Sequence, residues 1–122
     1  MSTIRVAIIP ADDMEPVQYT EIENTLQEKQ KIVDGYIEAV RLRDNAQGSM
    51  AMDYYCNEEF LYRPDLEINY RASFLYTLSF GVPNYIGGAV VVIGGVDQYG
   101  NDKPLSQKQE QHLRKWFDNW GE

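Results

Sequence analysis

The sequence has little of the chemistry that most enzyme sites need. Its 122 residues include one cysteine, Cys56, and one histidine, His112. A catalytic cysteine needs a histidine or another cation beside it to lower its pKa, and nothing in the spacing brings these two residues together. Structural zinc needs three or four cysteine, histidine or acidic ligands. We therefore expect no catalytic residue, no metal site and no cofactor, and the sequence indicates a protein that is not an enzyme.

Positive charge and long apolar runs are also scarce. Eleven lysines and arginines face nineteen acidic residues, a net charge of -8, and the basic residues form no cluster. Such a field repels polyphosphate, so nucleic-acid binding is disfavoured. The longest apolar run, GGAVVVIGGV, is far shorter than the ~20 residues that cross a bilayer, and the apolar run near the start is too short for a signal peptide. We expect a cytoplasmic protein with no membrane partner and a reduced cysteine.

The apolar pattern of the first half predicts two strands and a helix. The β-branched run IRVAIIP ends at Pro10, and residues 15–22 alternate as a second strand, so the two should form a hairpin. Thr25 followed by Glu28 fits a capping box, which predicts a helix from about Leu26 to Asp34 with Gly35 as its left-handed end. The stripe that this helix buries is predicted to be Leu26, Ile32 and Val33.

The second half predicts more strands and two helical segments. Residues 36–42 and 49–56 read as strands, and alternation places Cys56 on the more apolar face, as a small buried hydrophobe. NYRASFLYTL gives a possible helix in which Tyr70, Phe74 and Leu78 share a face. GGAVVVIGG is predicted to be a buried central strand, and Ser106 is predicted to cap a last helix.

These elements together predict one α+β domain that spans residues 1–122. Their order is β-β-α-β-β, a helical or irregular segment, β, then α. We expect a mixed, mostly antiparallel sheet with two or three helices packed on one face. The first five elements follow the order of a β-grasp domain, an analogy that carries no function by itself.

Asn69 and Arg71 stand out because they lie in an apolar run. A buried arginine generally has a paired acid or a bound anion. In a structural role, Asn69 would cap a helix and Arg71 would pair with Glu58, Glu59 or Asp53. In a functional role, both would line a pocket with the turn Cys56–Glu59 and bind a small anion or a partner's carboxylate. The candidate binding residues are Asn57, Glu58, Glu59, Asn69 and Arg71.

The last helix offers a second candidate surface. Trp116, Phe117 and Trp120 fall at helical spacing, a stripe that more often covers a sheet than a partner. Aromatic residues are nevertheless enriched at binding hot spots. This helix is therefore where a partner or a second copy of the chain would bind if the stripe is not fully buried.

Several motifs resemble a known family. KQKIVDGYIEAV, CNEEF, INYRA and YIGGAVVVIGG together resemble a family of small proteins, encoded mainly by bacteriophages and mobile elements, that is catalogued as family of unknown function 3846. Phe60 departs from the family pattern, because a glycine usually ends that turn. The resemblance implies a phage or mobile-element origin and a host cytoplasm. It brings no established activity and no residue with a known role.

Three functional hypotheses follow from the charge, the absent catalytic residues and the resemblance. The first is an accessory protein without enzymatic activity that binds and modulates a host protein, such as a defence or replication factor. The second is a binder of small anions or nucleotide-type ligands through the Cys56–Glu59 turn and Arg71. The third is an acidic mimic of DNA.

Overall fold

A computed structural model describes residues 2–121 and has a five-stranded sheet as its centre. The strands lie in the order β2-β1-β7-β4-β3, and all the pairings among the described residues are antiparallel. Two small two-stranded sheets, β5 with β6 and β8 with β9, join the remaining segments. The strands are β1 Thr3–Ile9, β2 Gln18–Glu23, β3 Ile37–Leu42, β4 Met52–Asn57, β5 Ile68–Asn69, β6 Ile86–Gly87, β7 Val90–Ile93, β8 Gly95–Val96 and β9 Asp102–Lys103. The helices are α1 Leu26–Val33, α2 Tyr70–Phe80 and α3 Gln107–Phe117, with a 3-10 turn at Phe60–Tyr62.

The α+β prediction is confirmed, and so is the position of the GGAVVVIGG strand. Its four central residues, Val90–Ile93, are completely buried and form the middle strand of the sheet. Strand β1 pairs with β2 as the predicted hairpin. The first five elements also occur in the expected β-β-α-β-β order.

Both faces of the sheet are covered, so the expectation that the helices pack on one face is wrong. One face packs against α2 and α3 and contains Tyr54, Cys56 and Val92. The other face packs against α1 and contains Val6, Val91 and neighbouring residues. The cause is visible in β1 and β7, which are apolar at consecutive positions and therefore bury side chains on both faces.

Helix α1 begins as predicted and differs at its buried face and its end. The Thr25 hydroxyl accepts a hydrogen bond from the Glu28 amide at 3.1 Å. Leu26 is exposed, whereas Lys29 is buried and makes an ion pair with Asp102. The left-handed residue is Asp34, with φ of 63°, and not Gly35. The predicted buried stripe is therefore wrong at Leu26 and correct at Val33.

Helices α2 and α3 carry several of the candidate site residues. Asn69 caps α2, and Gly81 ends it in the left-handed conformation. Tyr70 is exposed, so the face predicted from Tyr70, Phe74 and Leu78 is not the buried face of α2. Ser106 caps α3 in a reciprocal capping box with Gln109.

Within residues 2–121, no helix has the length and apolar character needed to cross a membrane.

Candidate functional site

The turn after β4 is held by the side chain of Asn57. Its Nδ2 donates hydrogen bonds to the carbonyl oxygens of Val33, at 3.2 Å, and Asp34, at 3.1 Å. Its Oδ1 accepts a hydrogen bond from the Glu59 amide at 2.7 Å. Asn57 is almost fully buried, so it fixes the turn against the end of α1. Gly35 is needed there, because a Cβ on it would lie 2.7 Å from the Asn57 Nδ2.

Arg63 clamps the other end of the same turn. Its Nη2 lies 2.9 Å from a carboxylate oxygen of Asp34 and 2.9 Å from one of Asp65, and its Nη1 donates to the Asp34 carbonyl at 2.9 Å. These hydrogen bonds raise the pKa of the Arg63 guanidinium and lower that of the Asp65 carboxyl. Residues 57–65 therefore form an ordered turn, held at Asn57 and at Arg63.

Large apolar side chains of this turn face solvent. Leu61 is 87% exposed and Tyr62 is 83% exposed. Tyr36 and Tyr85 are also mostly exposed, and Tyr36 is joined to the turn because its carbonyl accepts a hydrogen bond from the Glu58 amide at 3.0 Å. Single exposed apolar residues are common, but several around one ordered turn suggest a binding surface.

A shallow cavity of about 140 Å³ lies beside this turn. Leu61 and Tyr85 line it together with the acidic residues Glu38 and Glu58. Among residues 2–121, the ion pairs include neither of these glutamates nor Glu59, so the rim keeps its negative charge. We call the rim of this cavity, together with the exposed residues of the turn and Tyr36, the turn surface. It consists of Tyr36, Glu38, Glu58, Glu59, Leu61, Tyr62 and Tyr85.

Cys56 lines this cavity, and its thiol is not activated as a nucleophile. Its thiol is buried and donates to the Glu38 carbonyl oxygen at 3.6 Å. Burial raises the pKa of Cys56 to about 12, so the thiol is protonated at neutral pH. His112 accepts a hydrogen bond from the Trp116 indole at 3.2 Å, so each of the two residues has a different partner. The prediction that Cys56 is a buried hydrophobe is confirmed.

Asn69 has the structural role that its position before a helix suggested. Its Oδ1 accepts a hydrogen bond from the Ala72 amide at 3.0 Å, which is the predicted N-cap. Its Nδ2 donates to the carbonyl oxygens of Ile9, at 2.9 Å, and Gly88, at 3.0 Å. The side chain is 0% exposed and therefore offers nothing to a ligand.

Arg71 lies apart from the turn, so the expected pairing with Glu58, Glu59 or Asp53 is wrong. Its Nη2 donates to the carbonyl oxygens of Pro10, at 2.8 Å, and Asp12, at 3.0 Å. Arg71 lines a different cavity from the one that contains Asn57 and Glu58. Among residues 2–121, Arg71 and the Cys56–Glu59 turn therefore do not form a single pocket.

The aromatic residues of the last helix pack mainly on α2. Phe117 is buried in the core, whereas Trp116 and Trp120 are half-buried. The Phe74 ring centroid lies 5.0 Å from that of Trp116 and 5.5 Å from that of Trp120. Trp120 follows the end of α3 and does not continue its stripe. Their use as an interface stays a prediction.

Sequence reasoning missed the exposed residues of the turn surface. The sequence predicts a polar turn at residues 56–59 and assigns no role to FLY at residues 60–62. The available signal was that three large apolar residues stand between two glutamates and Arg63-Pro64, in a segment with no strand or helix period.

Among the described residues 2–121, no group of three or more histidine, cysteine or acidic side chains is placed to hold a metal ion.

The fold and these surfaces define a small antiparallel α+β domain with helices on both faces of one sheet. Residues 4–118 match the family described as Domain of unknown function (DUF3846), and the chain belongs to this family. The match covers almost the whole chain and agrees with the resemblance seen in the sequence motifs. No curated protein and no solved structure matches the chain.

Proposed function

We propose that this protein is a phage- or mobile-element-encoded accessory protein that binds a host protein in the host cytoplasm and performs no chemistry itself. Its turn surface is the docking site, and the partner presents a basic surface with an apolar centre. The observation that carries the proposal is the exposure of Leu61 and Tyr62, at 87% and 83%, on a turn that Asn57 and Arg63 hold rigid.

Burial by a partner accounts for these apolar side chains. Covering a side chain such as Leu61 is worth ~1.5–3 kcal/mol, and tyrosine is among the residues that dominate interface hot spots. The turn loses little conformational entropy when a partner binds, because Arg63 already pairs with Asp34 and Asp65. The same side chains in a flexible loop would bind less well.

The negative charge of the turn surface determines which kind of partner binds there. Glu38 and Glu58 line the cavity with Leu61 and Tyr85, Glu59 follows in the same turn, and the whole chain has a net charge of -8. A basic partner is attracted by this field and associates faster, whereas a second copy of this chain presents the same negative rim and is repelled. The charge therefore favours a different protein over a homo-oligomer at this surface.

The experiment compares two baits that differ in where apolar surface is removed. Leu61→Ser/Tyr62→Ser removes it from the turn surface, and Tyr99→Ser removes a tyrosine that is 79% exposed in the distant β8–β9 turn. Wild type and the Tyr99→Ser control should capture the same protein from host lysate. The Leu61→Ser/Tyr62→Ser bait should bind that purified partner at least ~10-fold more weakly. All three should unfold at similar temperatures, because the altered side chains are solvent-exposed.

The role of charge is tested on the same purified partner. Glu38→Gln/Glu58→Gln should lower the association rate and flatten its dependence on salt. A partner that binds wild type and the Leu61→Ser/Tyr62→Ser variant equally well would show that the turn surface is not the docking site. A bait that captures no specific protein, or that converts a metabolite, would contradict the proposed function as a whole.

A further inference from the structure

A larger cavity, of about 380 Å³, lies where the loop after β1 meets the end of α3. Arg71 lines it from α2, and Asp13 lines it from the loop. Arg114, Phe117 and Trp120 line it from α3 and the residues after α3. We call it the Arg71 cavity. It is separate from the turn surface, and its chemistry is independent of the function proposed for that surface.

The Arg71 side chain is held in place through Nη2 and leaves its Nε–H without a hydrogen bond. The side chain is only 2% exposed, and its Nη2 is fixed by the carbonyl oxygens of Pro10 and Asp12. Its Nε is buried and has no hydrogen-bond partner. The nearest carboxylate oxygen, Oδ1 of Asp13, is 3.9 Å from Nε, which is beyond hydrogen-bond distance. A buried cation with an unsatisfied donor and no close counter-ion is costly, so an anionic group bound beside the guanidinium would be stabilising.

A second guanidinium and two aromatic rings complete the cavity. Arg114 is partly exposed, and its guanidinium carbon lies 4.0 Å from the ring centroid of Tyr19. The Arg114 guanidinium therefore lies over an aromatic face and also makes a loose ion pair with the Glu110 carboxylate, at 3.7 Å. Phe117 and Trp120 supply apolar wall. The cavity therefore combines two cations, an apolar wall and the acidic side chains of Asp13, Glu15 and Asp118.

We propose that the Arg71 cavity binds a monoanionic carboxylate attached to an apolar or aromatic group. The guanidinium of Arg71 donates a hydrogen bond to a carboxylate oxygen, Arg114 supplies a second positive charge, and Trp120 contacts the apolar group. The carboxylate belongs either to a free organic acid or to the C-terminus of a peptide.

The acidic residues around the cavity distinguish a carboxylate from a phosphate. Asp13, Glu15 and Asp118 line the cavity together with the two arginines. Like charges at these distances repel, and a phosphate dianion is repelled more strongly than a carboxylate. Asp13 also competes for Arg71, because it is the acid nearest to Nε. Removing the charge of Asp13 should therefore strengthen ligand binding.

The test follows the Arg71 Nε–H signal in ¹⁵N-labelled protein by nuclear magnetic resonance. Phenylacetate is the probe for a free acid, with phenylacetamide as its uncharged control. N-acetyl-glycyl-phenylalanine is the probe for a peptide terminus, with its C-terminal amide as control. At least one acid should shift the signal saturably and bind at least ~10-fold more tightly than its amide, because a hydrogen bond to a charged group is the stronger kind.

Variants separate the binding site from a structural role of Arg71. Asp13→Asn should tighten binding of the acid several-fold, and Arg114→Gln should weaken it, whereas Arg43→Gln, an exposed arginine outside the cavity, should leave it unchanged. Arg71→Lys should abolish binding, and the first two variants keep the test decisive if that protein does not fold. Which acid binds identifies the source of the carboxylate.

Three results would overturn this proposal. The first is the absence of a saturable Arg71 shift with either acid. The second is equal binding of the acids and their amides, or tighter binding of inorganic phosphate. The third is weaker binding by Asp13→Asn. None of them bears on the turn surface, whose variants are altered at Leu61 and Tyr62 or at Glu38 and Glu58.

Discussion

Replacing Asn69 by alanine removes three hydrogen bonds at the buried start of α2. The side chain caps α2 through the Ala72 amide and joins the ends of two other segments through the carbonyl oxygens of Ile9 and Gly88. Loss of an N-cap costs about 1 kcal/mol, and each buried carbonyl left without its donor costs about 1–3 kcal/mol. We therefore expect Asn69→Ala to lower the free energy of unfolding by about 3–7 kcal/mol, a large part of the ~5–15 kcal/mol typical of a domain.

Two further variants separate the cap from the bridging hydrogen bonds. Asn69→Ser keeps an acceptor for the Ala72 amide, so it should recover only about 1 kcal/mol of the loss. Asn69→Asp keeps the cap and the shape but replaces the donor with a carboxylate facing the carbonyl oxygens of Ile9 and Gly88, so it should be at least as unstable as the alanine variant.

Urea unfolding measures all three variants. With a slope of roughly 1–3 kcal/mol per molar urea, the alanine variant should unfold at a midpoint lower by on the order of 2 M. The slope itself should not change, since the fold is the same. An Asn69→Asp protein as stable as wild type, or an alanine variant that loses less than about 1 kcal/mol, would refute the assignment of Asn69 as a bridge between segments.

Three other variants test contacts that hold the turn and the two sides of the core. A Cβ added at Gly87 would overlap the Phe60 ring, so Gly87→Ala should cost about 1–3 kcal/mol in urea unfolding and should also weaken partner binding by displacing the turn; a variant with wild-type stability and binding would contradict this contact. Lys29→Ala leaves the mostly buried Asp102 carboxylate without its cation and with the Tyr55 hydroxyl as its remaining donor, which should cost about 3–5 kcal/mol, and removing Asp102 as well should recover part of the loss. A smaller loss for the single variant than for the double one would contradict the pairing. The pKa of Cys56 is raised from 9.0 to about 12, so the thiol ionises first in the unfolded chain and stability should fall between about pH 9 and 12. Urea midpoints of Cys56→Ala should decline less steeply with rising pH over this range, and equal slopes would contradict a buried thiol.

Local signals in the sequence predicted the elements that depend on neighbouring residues. The caps at Thr25, Asn69 and Ser106 are each a polar residue three positions before the amide that it accepts from, so they were visible in the chain itself. The burial of Val90–Ile93 and Cys56 followed from alternation and from an uninterrupted β-branched run. These features are set within a few residues of one another.

Features set by distant residues were not predictable in this way. Lys29 is buried because it pairs with Asp102, which lies 73 positions further along the chain. The apolar pattern of α1 carries no sign of this contact, and it therefore predicted wrongly that Leu26 is buried. The partners of Arg71 are the carbonyl oxygens of Pro10 and Asp12, which carry no side-chain signal in the sequence. Both faces of β1 are buried because helices cover both faces of the sheet. The periodicity within β1 does not show which helix covers which face, so it could not predict that α1 packs opposite α2 and α3.

The candidate sites show the same division. The sequence identified Asn57, Glu58 and Arg71 as unusual, and all three line a cavity, but their chemistry belongs to two separate cavities. Polar residues in apolar runs are recognisable from the sequence, whereas their grouping requires the tertiary contacts. The exposure of Leu61 and Tyr62 required the structure as well, since apolar residues in a short turn are as often buried.

Hydrogen exchange of the protein with and without its purified host partner tests the central claim most directly, because it locates the docking site along the backbone. The turn surface predicts slower exchange in residues 58–63, around Tyr36 and around Tyr85 when the partner is bound, with no change in the β8–β9 turn. Protection confined to the loop at residues 13–17 and the residues after α3 would instead place the partner at the Arg71 cavity and contradict the account of the turn surface.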